Sequence, residues 1–104
     1  GVAANDSVGR ELFQRACDDR ELAACFELAD VYEQGEGAAQ DFTQAVQLYR
    51  QACDQGHGEA CARLAALYDR GAGVRRNPER AEEYRRAACE AGHRAACPPP
   101  KKAA

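Results

Sequence analysis

The apolar residues of this chain recur at helical intervals. In the middle of the sequence Ala45, Leu48, Tyr49 and Ala52 stand three or four positions apart, which is the spacing of one face of an α-helix. Asp41 precedes them and offers the side-chain acceptor that a helix N-cap needs. The pattern therefore predicts a helix, named helix A, that begins after Asp41.

A second helix, named helix B, is predicted directly after the first. Its apolar positions are Ala60, Leu64, Ala65, Leu67 and Tyr68. Gly71 follows them and favours the end of the helix, and Gly56, between the two apolar runs, suits the left-handed residue that ends helix A. We expect a short helical hairpin and an all-α fold.

The hairpin pattern returns about every 36 residues, a period typical of helical repeat proteins. The positions in register include Leu12, Leu48 and Tyr84; Ala16, Ala52 and Ala88; Ala24, Ala60 and Ala96; Leu28 and Leu64; Tyr32 and Tyr68; Gly35 and Gly71. We expect repeats at about 5–40, 41–76 and 77–97. They would stack as an α/α superhelical solenoid.

The residues at the ends of the repeats also agree with this register. Asn5 and Asn77 are the register mates of Asp41 and are good N-caps, and Pro78 occupies a first helical position. The third repeat is truncated, because the prolines from Pro98 onward cannot continue a helix. We expect one repeat domain over 1–97 and a flexible Pro-rich tail over 98–104.

Composition narrows the class of protein. The chain has 104 residues, a net charge of -3 and six cysteines. The mixed, slightly acidic charge argues against nucleic acid as a partner, and no apolar run is long enough to insert into a membrane. No signal peptide is recognisable, so we expect a mature or trimmed chain.

The cysteines stand in three pairs, each with seven residues between its members. The pairs are Cys17 and Cys25, Cys53 and Cys61, and Cys89 and Cys97. In a hairpin the first cysteine closes helix A and the second opens helix B across the turn, which favours one disulfide per hairpin. Disulfides imply an oxidising compartment, such as the periplasm or the cell exterior.

A metal site is the alternative reading of these segments, because His57 lies between Cys53 and Cys61 and His93 lies between the last pair. Tetrahedral zinc needs four ligands, however, and each hairpin offers three at most. The first copy has Glu21 where the others have histidine. A redox centre is disfavoured because no Cys-x-x-Cys motif is present. We predict no metal, no cofactor and a turn role for both histidines.

The registered positions resemble the Sel-one-like repeat, a relative of the tetratricopeptide repeat. The residues that carry the resemblance are Ala45, Leu48, Tyr49, Ala52, Cys53, Gly56, His57, Ala60, Cys61, Leu64, Ala65, Leu67, Tyr68, Gly71, Gly73 and Val74. The spaced cysteine pair resembles the cysteine-rich branch of that family. The resemblance implies exported adaptor proteins, some of which bind or slowly hydrolyse β-lactams, while similar proteins lie in the mitochondrial intermembrane space.

The departures from the family pattern are the small number of repeats, the truncated last helix and Arg20 in place of a helix-ending glycine. An enzyme also needs a nucleophile with a base. The chain has one serine, Ser7, and one threonine, Thr43, and neither stands in a Ser-x-x-Lys motif. We predict no catalytic residues and a non-catalytic scaffold that binds a protein or peptide, with weak β-lactam hydrolysis as the alternative.

The predicted binding face lies on helix A, which lines the concave side of tetratricopeptide-type stacks. Its candidate residues are Arg10, Gln14, Val46, Arg50, Glu82 and Arg86. Arg50 and Arg86 share a register row that would suit a carboxylate. A weak homodimer through the truncated C-terminal end is also predicted, because solenoid ends without a polar cap tend to associate.

Overall fold

The computed structural model describes residues 7–35 and 40–98, with side chains from residue 9 onward. The elements are α1 (Ser7–Asp18), α2 (Leu22–Gln34), α3 (Phe42–Asp54), α4 (Gly58–Arg70), α5 (Pro78–Glu90) and a 3-10 turn (Arg94–Ala96). Every regular element in these ranges is helical, which confirms the all-α prediction.

The helix starts follow from local side chains. Asp41 accepts a hydrogen bond from the backbone N–H of Gln44 at 3.1 Å, and Asn77 accepts one from Arg80 N–H at 3.0 Å. Pro78 stands at the start of α5, as predicted. Asn5, the third predicted cap, lies outside the described residues.

The helices pack in chain order, α1 on α2, α2 on α3, α3 on α4 and α4 on α5. Such packing between sequence neighbours is the solenoid arrangement that the period predicts. The core lies along α2, α3 and α4, where the largest fully buried side chains are Leu28, Tyr49, Leu64 and Leu67. Fully buried alanines such as Ala45 and Ala60 allow the helix backbones to approach closely.

Each helical pair carries one disulfide. The bridges join Cys17 to Cys25, Cys53 to Cys61 and Cys89 to Cys97, with Cα–Cα distances of 4.5, 4.7 and 4.6 Å. The cysteines of the first two bridges are buried, whereas those of the third are half-buried. The bridges therefore hold the turn between helix A and helix B in the first two repeats, and the turn between α5 and the 3-10 turn in the third.

The interface between the first two repeats centres on Phe26 of α2. Its ring lies 4.9 Å from the ring of His57 in a stacked arrangement and 5.7 Å from the ring of Tyr49. The guanidinium of Arg63 lies over the same ring and pairs with Asp30 at 3.4 Å. We call this contact the repeat interface.

The third repeat ends early. In place of a full helix B, α5 is followed by the three-residue 3-10 turn Arg94–Ala96. This 3-10 turn is the only regular element after α5 in the described residues, and the repeat boundaries stay a prediction. The predicted flexible tail begins at Pro98, which is exposed, and its remaining residues lie outside the described part of the chain.

Candidate partner-binding face

The six predicted binding residues do not share one environment. Gln14, Glu82 and Arg86 are exposed, and Arg10 and Arg50 are half-buried. Val46, in contrast, is only 3% exposed. The expectation that Val46 contacts a partner is wrong, because its side chain belongs to the core.

The position of α3 in the stack explains the burial of Val46. The central helix packs against α2 on one side and α4 on the other, whereas the main packing partner of α1 in the described residues is α2. Arg10 and Glu82 are the register mates of Val46, and they lie on the two outer helices. An argument from register treats the three repeats as equivalent. The burial of a side chain, in contrast, depends on which helices pack against it.

Arg10 and Gln14 lie together on α1. With Glu11 and Tyr32 they line one shallow groove of about 290 Å³. The Gln14 side-chain amide donates to Asp18 Oδ1 at 2.9 Å. Polar side chains of helix A thus meet a tyrosine of helix B at this place.

Arg50 occupies the equivalent place in the second repeat. Its Nη2 group donates a hydrogen bond to the Tyr68 hydroxyl at 2.7 Å, and the Tyr84 ring stacks on that of Tyr68 at 5.4 Å. The Nε–H group is buried without an acceptor. The guanidinium is therefore held in place by aromatic groups and keeps an unused donor.

The ionic surroundings of Arg50 differ from those of two other arginines. Arg63 pairs with Asp30, and Arg85 pairs with Asp69 and Glu82. No carboxylate in the described ranges lies within salt-bridge distance of Arg50. Burial tends to lower the pKa of the Arg50 guanidinium, but the hydroxyls of Tyr68 and Tyr84 outweigh it and hold the pKa above its usual value.

Glu82 and Arg86 mark the third place along this face. They line a groove of about 300 Å³ between α5 and the 3-10 turn, which Cys97 and Pro98 complete. The Glu82 carboxylate already accepts hydrogen bonds from Arg85. Arg86 is the exposed cation of this groove.

The sequence prediction missed Tyr68 and Tyr84 as parts of this face. Their register positions marked them as apolar helix residues, but a tyrosine hydroxyl in a core needs a hydrogen-bond partner. Tyr68 is 8% exposed and its hydroxyl reaches Arg50. The sequence contained a signal for this contact. At these positions of the apolar pattern it has tyrosine, whose hydroxyl needs a partner, whereas the other apolar side chains carry no polar atom.

His57 has a structural role at the tip of the second hairpin. Its Nδ1 atom accepts a hydrogen bond from the Ala60 N–H at 3.1 Å, which caps α4. Neither His93 nor Glu21, its register mates, forms such a side-chain cap. Within the described residues, no group of three or more His, Cys, Asp or Glu side chains could hold a metal ion.

The two hydroxyls considered as nucleophiles lie near the starts of helices. Thr43 is exposed in the first turn of α3, and the side chain of Ser7 lies outside the described atoms.

None of the helices in the described ranges is long and apolar enough to cross a bilayer.

A family model for the Sel1 repeat matches residues 1–19, 22–57 and 58–93. The chain belongs to the Sel1 repeat family. The second and third matched units begin at α2 and α4, each a helix B, whereas the predicted repeats begin at helix A. The first matched unit covers α1. No curated protein matches the chain.

Three solved structures are similar to this Sel1 repeat chain. A Sel1 repeat protein from Oxalobacter formigenes has a TM-score of 0.84 and 30% identity, over 92% of this chain and 40% of that one. The protein c5321, a protective antigen of uropathogenic Escherichia coli strains with an SLR fold, has a TM-score of 0.79 and 31% identity, over 85% and 19%. Helicobacter pylori cysteine rich protein B has a TM-score of 0.82 and 29% identity, over 86% and 67%. The chain thus spans 40% of the first protein and 19% of the second.

Proposed function

We propose that this Sel1 repeat chain is a non-catalytic scaffold that binds an acidic segment of a partner protein on its helix A face. Arg50 is the centre of the proposed site. The observation that carries the proposal is the guanidinium itself, which is fixed by Tyr68, has no carboxylate partner in the described residues and retains a buried Nε–H without an acceptor.

The chemistry of guanidinium favours a carboxylate ligand. Its donors form a planar fork that matches two carboxylate oxygens. A buried donor without an acceptor costs about 1–3 kcal/mol, and a carboxylate oxygen that accepts from the Arg50 Nε–H would recover part of this cost. Because Tyr68 and Tyr84 already order the side chain, binding would require little further loss of rotamer freedom.

Neighbouring repeats extend the site in both directions. Gln14, Arg50 and Arg86 occupy one register row on α1, α3 and α5. A segment that crosses the three helices would meet an amide and then two cations. The row is basic on a chain whose net charge is -3, and a local cationic row of this kind selects and orients acidic partners.

The test is the double substitution Arg50→Glu with Arg86→Glu in a capture experiment under oxidising conditions, read by mass spectrometry. We expect the captured partners to be lost, with binding of an acidic peptide at least about tenfold weaker, because two attractive contacts become repulsive. Raised salt concentration should also weaken binding of the acidic peptide to the unsubstituted chain.

The matched control is Arg75→Glu with Arg80→Glu, which makes the same change of charge at two exposed arginines outside the row. It should leave binding nearly unchanged. Equal losses in both double variants, or unchanged capture by the Arg50 and Arg86 variant, would remove the helix A face from consideration.

An exported location, in the periplasm or outside the cell, is part of the proposal. It is supported by the three disulfides, which persist in oxidising compartments, and by the likeness to Helicobacter pylori cysteine rich protein B. The mitochondrial intermembrane space is the alternative. Cell fractionation with thiol alkylation tests this, and a chain recovered from the cytosol with free thiols would contradict it.

Weak β-lactam hydrolysis remains the alternative function, and it rests on the resemblance to the cysteine-rich branch. Thr43 forms no hydrogen bond to a base in the described residues. A nitrocefin assay on the pure protein tests the alternative. Turnover that disappears in Ser7→Ala or Thr43→Ala would favour it over a non-catalytic scaffold.

A further inference from the structure

The outer side of the first hairpin carries an open apolar groove. It is about 400 Å³ in volume, and its lining includes Leu12, Phe13, Ala16 and Ala24 of α1 and α2. Leu12 is 50% exposed and is the one large hydrophobic side chain left exposed in the described part of the chain. We call this feature the end groove.

The same positions are covered one repeat later. Leu48, Tyr49 and Ala52 are the register mates of Leu12, Phe13 and Ala16, and they are 5%, 0% and 0% exposed. The helix that lies over this side of the second repeat is α2. The end groove is therefore a repeat interface without its covering helix among the described residues.

The occupied repeat interface shows what kind of helix fits. From α2, the Phe26 ring stacks on His57 and contacts the guanidinium of Arg63, and four residues later Asp30 pairs with Arg63. A covering helix thus supplies a large apolar residue at one position and a charged residue at the position four later.

The end groove carries acidic residues at the positions where the repeat interface carries basic ones. At the register positions of His57 and Arg63 the first repeat has Glu21 and Glu27, both exposed and both in the groove lining. The position of Tyr49 is taken by Phe13, which has no hydroxyl to satisfy. A helix that docks in the same way would place its charged residue beside Glu27, where a cation is favoured and Asp30 of a second copy would be repelled.

We propose that the end groove is a docking site for an amphipathic helix of a partner protein that carries a large apolar residue followed four positions later by a lysine or arginine. The argument rests on continuity with the repeat interface and on the reversed charge at Glu27. It is independent of the helix A face.

The test uses two synthetic peptides based on residues 22–35, both with Cys25→Ser. One keeps Asp30 and the other carries Asp30→Lys. Binding is followed through the amide NMR signals of Leu12, Ala16 and Ala24 of the intact chain. We expect the Asp30→Lys peptide to bind about fivefold more tightly, a ratio that one partly exposed charge pair can supply.

Two variants of the chain complete the test. Glu27→Lys should reverse the order of the two peptides, and Leu12→Glu should abolish binding of both while the circular dichroism spectrum stays unchanged, because Leu12 is half exposed. Arg50→Glu should leave the shifts that either peptide causes at Leu12, Ala16 and Ala24 unchanged, so failure of this proposal is distinguishable from failure of the helix A site.

Equal affinity for both peptides, or binding that survives Leu12→Glu, would overturn the proposal. Concentration-dependent self-association that disappears with Leu12→Glu would also overturn it, because the occupant would then be a second copy. The homodimer predicted at the truncated C-terminal end stays a separate prediction, since the end groove lies at the opposite end of the stack.

Discussion

Arg20 adopts a backbone conformation that suits glycine. Its φ is 68°, and no other residue except glycine has a positive φ in the described ranges. The register mates Gly56 and Gly92 have φ values of 95° and 99°. In a residue with a Cβ atom, left-handed backbone costs about 1–2 kcal/mol because Cβ approaches the following carbonyl oxygen. The first hairpin therefore carries local strain that the other two avoid.

Arg20→Gly should raise the free energy of unfolding by about 1 kcal/mol, since relief of the left-handed strain exceeds the extra entropy of glycine in the unfolded chain. Urea unfolding with the disulfides intact measures the change. Arg20→Ala is the control, because it removes the charged side chain but keeps the Cβ atom. If the two variants are equally stable, backbone strain is not the cause.

Tyr49 joins the first two repeats through a buried hydroxyl. The side chain is 0% exposed, and the hydroxyl donates to Glu33 Oε1 at 2.8 Å. Burial, and then the hydrogen bond and negative charge of Glu33, raise the pKa of Tyr49 well above the ordinary tyrosine value. The folded chain therefore holds this proton more tightly than the unfolded chain does.

Stability should consequently fall at alkaline pH. The contribution of Tyr49 is complete below the ordinary tyrosine pKa of about 10 and is lost as the pH rises above it, by up to about 1.4 kcal/mol per pH unit. Tyr49→Phe should flatten this dependence while lowering stability at neutral pH. Denaturant unfolding from pH 8 to 11 compares the two chains, and parallel curves would contradict the assignment.

At the scale of elements, the connection between α4 and α5 closes onto the start of α3. Gly73 has a φ of 76°, and a Cβ atom at this position would lie 2.4 Å from the backbone oxygen of Phe42. The guanidinium of Arg70, at the end of α4, lies 5.4 Å from the centre of the Phe42 ring. The connection is therefore packed against the first residue of α3.

Gly73→Ala should destabilise the chain by about 3 kcal/mol, because it combines left-handed strain with a clash against backbone that cannot move alone. Gly56→Ala is a matched control, since its φ is 95° but nothing lies within 4 Å of the new Cβ atom. The control should lose only about 1 kcal/mol. Thermal unfolding of both variants measures the difference, and similar losses would mean that the close approach to Phe42 is unimportant.

At the scale of the whole molecule, the main helix contacts among the described residues join elements that are neighbours in the chain. The two interfaces even use the same register pair, because Tyr49 bonds to Glu33 in the first and Arg85 bonds to Asp69 in the second. In a stack of this kind stability is close to a sum of repeat and interface terms. Loss of one interface should therefore uncouple the repeats on either side of it.

Phe26→Ala should cost about 2 kcal/mol, less than a fully buried phenylalanine because its ring is half-buried. Hydrogen exchange is the informative measurement. We expect the amides of α1 and α2 to lose more protection than those of α4 and α5. Phe13→Ala removes a half-buried ring outside the repeat interface and serves as the control. Equal loss of protection in every helix would show that the chain unfolds as one unit.

The sequence determined the local features of this chain. Helix starts at Asp41 and Asn77 depend on side chains and backbone groups three residues apart. The pairing of cysteines across each turn depends on a segment of nine residues. Such interactions join residues that are close in sequence. They can therefore be predicted from the repeat period and the residue types alone.

The tertiary structure decided which copies of a repeated position are covered. Val46 is buried although its register mates are not, and Leu12 is exposed although its register mate Leu48 is buried. The reason is that, among the described residues, α3 has a helix on both sides and α1 does not. Likewise, the contact of Arg50 with Tyr68 joins residues 18 positions apart on two helices. Burial and charge pairing depend on what packs against a residue, and this is a property of the assembled stack.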